Sequence, residues 1–162
     1  MLFGVNAIGF VGASQLNRVF LRRLSLLAVT RGAVTAAVLI ALLLLAVVAS
    51  GHASTLTLTM LFFALSAAIG CIFPNIAALA FGSVRERMGS AAALQGTLQS
   101  VFGGVAGGLV GALGNGTPLP VLGIITGFAA LAAVFLRAAH RRQLEAYNMS
   151  RTLLPDPGTE PR

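Results

Sequence analysis

Long uncharged stretches alternate along this chain with short segments that carry arginine. Residues 34–50, 56–83 and 91–136 contain no Asp, Glu, Lys or Arg. A helix crosses the hydrocarbon core of a bilayer with about 20 apolar residues. The first stretch therefore fits one crossing, the second one long crossing, and the third holds two. A further apolar stretch opens the chain. The pattern predicts five spans, at 2–16, 33–50, 56–81, 90–113 and 119–136, with the first continuing as helix toward Arg22. Ser90 is placed to cap the fourth span. Gly114-Asn115-Gly116-Thr117-Pro118 reads as a turn, because glycine supplies unusual backbone angles and proline blocks helix continuation. After Gln143 the apolar pattern fades, and the stretch through Pro155 and Pro157 reads as disordered. The expected organisation is a transmembrane bundle over 1–142 and a disordered cytoplasmic tail over 143–162. The fold class is all-α, a polytopic membrane helix bundle with five transmembrane helices.

Composition excludes a soluble domain. Hydrophobic residues make up 57% of the chain and charged residues 9%, against about 25% charged in ordinary globular domains. Too few polar side chains are present to cover a water-facing surface. All eleven basic residues are arginine, and the net charge is +7. They fall in three clusters, at Arg18, Arg22, Arg23 and Arg31, at Arg85 and Arg87, and from Arg137 onward. The links between clusters are uncharged apart from His52. Short basic loops stay in the cytoplasm, so the alternation puts the N-terminus outside and the C-terminus inside. That distribution points to membrane topology and away from nucleic acid, which would call for a basic face on a soluble surface. Residues 1–16 lack the basic lead of a secretory signal. The lone Cys71 excludes an intrachain disulfide. The apolar opening and the odd number of spans suggest a chain cut from something longer.

The acidic residues are Glu86, Glu145, Asp156 and Glu160, all outside the predicted spans. Proton-coupled transport ordinarily needs an ionisable group inside the membrane, and neither His52 nor His140 supplies one. No carboxylate pair, metal-spaced His/Cys cluster or activated serine is evident, so neither an enzyme, a metal site nor a cofactor is expected. Three intramembrane features remain. Pro74 removes a helical donor from the third span and predicts a helix break reaching back to Gly70. Asn75 beside it either satisfies the disturbed backbone or faces a substrate cavity. Gln95 and Gln99, four apart on one helix face, either line a cavity or bond a neighbouring helix. Gly103, Gly104, Gly107, Gly108 and Gly111 make overlapping G-x-x-x-G steps that let another helix approach closely.

These features occur in an order that resembles the Bcr/CflA drug-resistance group of the major facilitator superfamily. Phe3-Gly4-Val5-Asn6-Ala7-Ile8-Gly9 and Gly12-Ala13-Ser14-Gln15-Leu16-Asn17 look like that group's eighth helix and its exit. Phe73-Pro74-Asn75-Ile76-Ala77-Ala78-Leu79-Ala80 is similar to its tenth helix. Arg87-Met88-Gly89-Ser90-Ala91-Ala92-Ala93-Leu94-Gln95-Gly96, followed by Gln99, is similar to the start of its eleventh. The resemblance implies a partial major facilitator fold, helices eight to twelve of twelve. It makes Gln15, Asn17, Arg22 and Arg23 a degenerate copy of a cytoplasmic loop motif. The motif's aspartate is missing here, with Asn17 and Arg18 in its region, and its charge-relay role is not expected of this copy. The resemblance further implies proton-coupled export of small hydrophobic drugs across the bacterial inner membrane, with the N-terminus periplasmic. Helices one to seven would then be the missing partner, and this chain alone would not transport. The alternative is a self-standing small membrane subunit or regulator that packs on a partner through its glycine-rich helix. Membrane lipid is a partner in either case.

Overall fold

The structure is a computed structural model that describes residues 2–51, 53–82, 88–114 and 116–153. Five helices follow one another: α1 (Leu2–Phe20), α2 (Leu26–Ala49), α3 (Thr55–Gly82), α4 (Met88–Leu113) and α5 (Leu119–Leu153). The described residues contain no strand. The chain is an all-α membrane helix bundle. Four of the helices are long and apolar enough to cross a membrane: α2, α3, α4 and the Leu119–Ala139 part of α5. The sequence pattern predicts five crossings, and α1 is the one not among the four. Asn6, Gln15, Asn17 and Arg18 dilute its apolar pattern.

Helix ends follow local chemistry more closely than they follow hydropathy. α1 continues beyond residue 16 to Phe20, within the helical continuation toward Arg22 that the sequence pattern predicts. Gln15 and Asn17 therefore sit on a helix, and only Arg22 and Arg23 lie in the turn that follows. That turn tightens through bonds from the Arg22 and Arg23 amides to the Val19 and Phe20 carbonyls. Ser25 then caps α2, its hydroxyl accepting from the Ala28 amide at 3.3 Å. α2 thus begins seven residues before the predicted 33–50 span and includes Arg31. Gly51, at φ +72°, takes the left-handed conformation that ends it. Ser54 caps α3 by accepting from the Thr57 amide at 3.1 Å. α4 starts at Met88, which leaves Ser90 inside the helix. The turn before α5 has Gly116 at φ +78°, as its composition requires; Asn115 lies outside the described residues.

Two further expectations differ from the structure. α3 runs helical through Pro74 without interruption. Proline removes one donor, and the packing of α1 along this stretch holds the remaining turns in place. α5 continues helical to Leu153, well into the predicted disordered tail. Residues 138–146 are rich in Ala, Arg, Gln, Leu and Glu, all strong helix formers, so the helix persists after its apolar pattern ends. Residues 154–162 lie outside the described residues.

The core is small and sits among α2, α3 and α5. Ala37, Leu44, Leu65 and Leu122 are buried together, with Ile40, Phe62 and Ile72 packed around them. α1 lies along α3, and α2 lies between α3 and α5. α4 stands apart: it touches α3 and α5 sparsely, and none of its residues is buried.

Candidate functional site

Two pairs of helices are joined by polar contacts, and an apolar cavity lies among α2, α3, α4 and α5. The first pair is α1 and α3. A Cβ at Gly9 would stand 2.9 Å from the Phe63 ring, and a Cβ at Gly70 would land on the Phe10 carbonyl oxygen. These two glycines let the helices touch backbone to side chain and backbone to backbone. Beside them, Phe10 and Phe73 meet edge to face with centroids 6.4 Å apart. The Cys71 thiol donates to the Ala13 carbonyl at 3.4 Å. One turn further along both helices, Asn17 and Asn75 exchange hydrogen bonds. Asn17 Nδ2 donates to Asn75 Oδ1 at 2.7 Å, and Asn75 Nδ2 donates back to Asn17 Oδ1 at 3.0 Å. Both residues are buried. The contacts advance in the same direction on each helix, so α1 and α3 run parallel.

The second pair is α2 and α5. Thr126, buried on α5, shares its hydroxyl between the Leu122 carbonyl on its own helix, at 2.8 Å, and the Ala41 carbonyl of α2, at 3.2 Å. Leu122, one turn before Thr126, joins the core beside Leu44, one turn after Ala41. α2 and α5 are therefore antiparallel, with Thr126 level with Ala41.

Between α2, α3, α4 and α5 lies a cavity of about 540 Å³. Every one of the four helices contributes to its wall, including Val34, Ile72, Phe102, Val110, Ile125 and Phe128. Phe102 and Phe128 meet edge to face on this wall, centroids 6.3 Å apart. The only polar side chain on the wall is Thr30, whose hydroxyl already donates to the Leu26 carbonyl at 2.7 Å. The volume is that of a small-molecule site. Such a wall offers a ligand dispersion contacts and little else.

The residues singled out from the sequence fall in different places. Asn75 does not line this cavity; its amide is spent on Asn17. Gly70 is the point of closest approach between α1 and α3, and Pro74 lies one residue before Asn75. Gln99 is exposed on α4. Gln95 is half-buried, and its Oε1 has no hydrogen-bond partner among the described residues, as is also true of Asn6 Oδ1. The arrangement does not bring Asn75 together with Gln95 and Gln99. Of the glycine ladder, Gly107 borders the cavity. A Cβ at Gly103, Gly104, Gly107, Gly108 or Gly111 would meet nothing within 4 Å. The helix approach that this ladder permits is not made among the described residues. Sequence reasoning gave no weight to Thr126, Thr30 or Gly9. It noted Asn17 and Asn75 separately, but no local signal joins residues 58 apart.

No protein-family model, no curated protein and no solved structure matches the chain.

Proposed function

We propose that the chain is the C-terminal part of a proton-coupled multidrug exporter of the Bcr/CflA type, not competent to transport without the remaining helices. The observation that carries this reading is the state of α4. It is long and apolar enough to cross a membrane, yet it buries none of its residues and a Cβ on its glycine ladder would meet no neighbour within 4 Å. A helix of this kind is completed by contacts from outside the bundle. A transporter whose other half packs against it supplies them, since such proteins bind substrate near the midplane between two halves. The order of the Phe3–Gly9, Phe73–Ala80 and Arg87–Gly96 motifs selects this family over other membrane bundles. On this reading proton coupling falls to the remaining helices, since the apolar stretches hold no Asp, Glu, His, Lys or Arg.

The same open face supports a second reading, a small membrane subunit or regulator that docks on a partner through Gly103, Gly107 and Gly111. An immunoblot of source-cell membranes, with a tag after Arg162 at the native locus, separates the two. A band far above 16.5 kDa supports the exporter, and a band near that mass supports the subunit. The transport reading is then tested with the complete protein in proteoliposomes. Protonophore-sensitive extrusion of a hydrophobic dye is expected, and a dye gradient indifferent to the proton gradient would overturn it.

A further inference from the structure

The cavity among α2, α3, α4 and α5 has a direction. Thr126 is level with Ala41, and each helix rises 1.5 Å per residue. Ten residues onward on α5 and ten back on α2, Leu136 comes level with Arg31. Thr30 and Leu136, which both line the cavity, mark one end of it. The residues that immediately follow them are Arg31 and Arg137, both exposed. Arg22 and Arg23, in the turn before α2, are exposed at the same end. Among the described residues the one carboxylate is Glu145, two turns further along α5 than Arg137 and also exposed. One end of the cavity therefore lies level with Arg31 and Arg137, and no charged side chain lines its wall.

We propose that this cavity holds an acyl chain of an anionic phospholipid, with the headgroup phosphate at Arg31 and Arg137. The wall excludes ions and polar molecules, because its single hydroxyl is already bonded to Leu26 and no other group on it could replace lost hydration. It accepts an alkyl chain, whose hydrogen-bonding needs are nil. The arginine rim selects among alkyl-bearing molecules for one with negative charge at the end of the chain. Arginine also suits phosphate, because its planar fork donates two bonds at once. Basic pockets at the end of transmembrane helices bind anionic headgroups on the same physical grounds. The site is independent of drug transport and depends only on α2–α5 lying in a membrane.

The chain contains no tryptophan, so a single introduced tryptophan reports its own surroundings. The full chain carrying Phe128→Trp is reconstituted in phosphatidylcholine vesicles. Phosphatidylglycerol or phosphatidylcholine with brominated acyl chains is then added at increasing fraction, and fluorescence quenching is read. Each arginine near the headgroup contributes about a fivefold preference for an anionic lipid, so with two of them half-quenching is expected at about a twenty-five-fold lower fraction of the brominated anionic lipid. At Phe135→Trp, a site 67% exposed and outside the cavity wall, the two lipids are expected to quench within about twofold of each other. Joint replacement Arg31→Gln and Arg137→Gln is expected to bring the Phe128→Trp ratio down to the same level. Phe102→Trp, on the α4 part of the wall, serves as a second reporter should Phe128→Trp fail to fold. Equal quenching by the two lipids at the cavity reporters would overturn the proposal. So would a preference that survives the double arginine replacement, or an absence of quenching by either lipid, which would mean that another helix fills the space.

Discussion

Asn17 and Asn75 form a closed amide pair: each donates to the other's carbonyl, at 2.7 Å and 3.0 Å, and both are buried. In an apolar surround an amide left without a partner is costly, and here each satisfies the other without water. The pair sits one turn beyond the Cys71–Ala13 contact on both helices. It sets the register of α1 on α3, since a slip by one residue would leave both amides facing apolar atoms. The same logic lets a buried Asn fix alignment in coiled coils.

Breaking this pair is expected to reveal coupling. Interhelical hydrogen bonds within membranes contribute about 0.6 kcal/mol on average and up to about 1.7 kcal/mol, and an orphaned buried polar group adds about 1–3 kcal/mol. Asn17→Ala and Asn75→Ala should each destabilise the chain by about 1–2 kcal/mol. The double replacement should cost clearly less than the two added together. Reversible unfolding in mixed micelles measures all three, and strict additivity would mean that the bonds contribute nothing.

Glycines on α3 and α4 should respond to alanine with opposite signs. At Gly70 the added methyl meets the Phe10 backbone, and forced separation of the helices should cost about 1–3 kcal/mol. At Gly104 there is open space, and alanine removes the entropic penalty of glycine in a helix, a gain of about 0.5–1 kcal/mol. The isolated chain in micelles is the right system. A loss at Gly104→Ala in that system would show that copies already pack on the α4 face.

Thr126→Val keeps the shape of the side chain and removes its hydroxyl. The shared bond to Ala41 is lost while the bond within α5 is only local, so a loss of about 0.5–1 kcal/mol is expected. Thr126→Ser, which keeps the donor, should recover part of that loss. Equal stabilities for the Val and Ser forms would deny the α2–α5 bond any role.

In a complete transporter, the three amides should fail in different ways. Gln95→Ala and Gln99→Ala should lower drug extrusion at unchanged protein level, because Gln95 Oε1 has no partner among the described residues and Gln99 is exposed. Asn75→Ala should lower the protein level itself and, with it, extrusion in proportion. Efflux normalised to the membrane-inserted protein distinguishes the two. Full normalised activity in all three would remove Gln95 and Gln99 from the transport path.

The helices were legible in the sequence wherever apolar length alone decides, as in α2, α3 and α4. Their ends were less so. Hydropathy marks where a helix is apolar, and it placed the second span at residue 33, whereas the Ser25 cap starts α2 at Leu26 and carries Arg31 inside it. The same gap between apolarity and helicity hid the continuation of α5 to Leu153. Pro74 and Asn75 were conspicuous in the sequence, yet their setting depends on α1. Neither Gly9 nor Asn17 announces from its neighbours that it meets α3. The cavity was not legible at all, because its wall is assembled from four helices of unremarkable apolar composition.

The parallel course of α1 and α3 carries a consequence for how the protein is made. A growing chain exposes α1 to the bilayer while α3 is still unsynthesised, and α2 must traverse in the opposite direction before Asn17 can find Asn75. During that interval α1 has its amides and Arg18 with no partner and too little apolar length to hold itself in place. Its residence in the bilayer is conferred afterwards, when α3 arrives and Gly70 admits it. α1 is thus secured only after two further helices have been translated, and replacements on α3 at Gly70 or Asn75 act on biogenesis before they act on the finished fold.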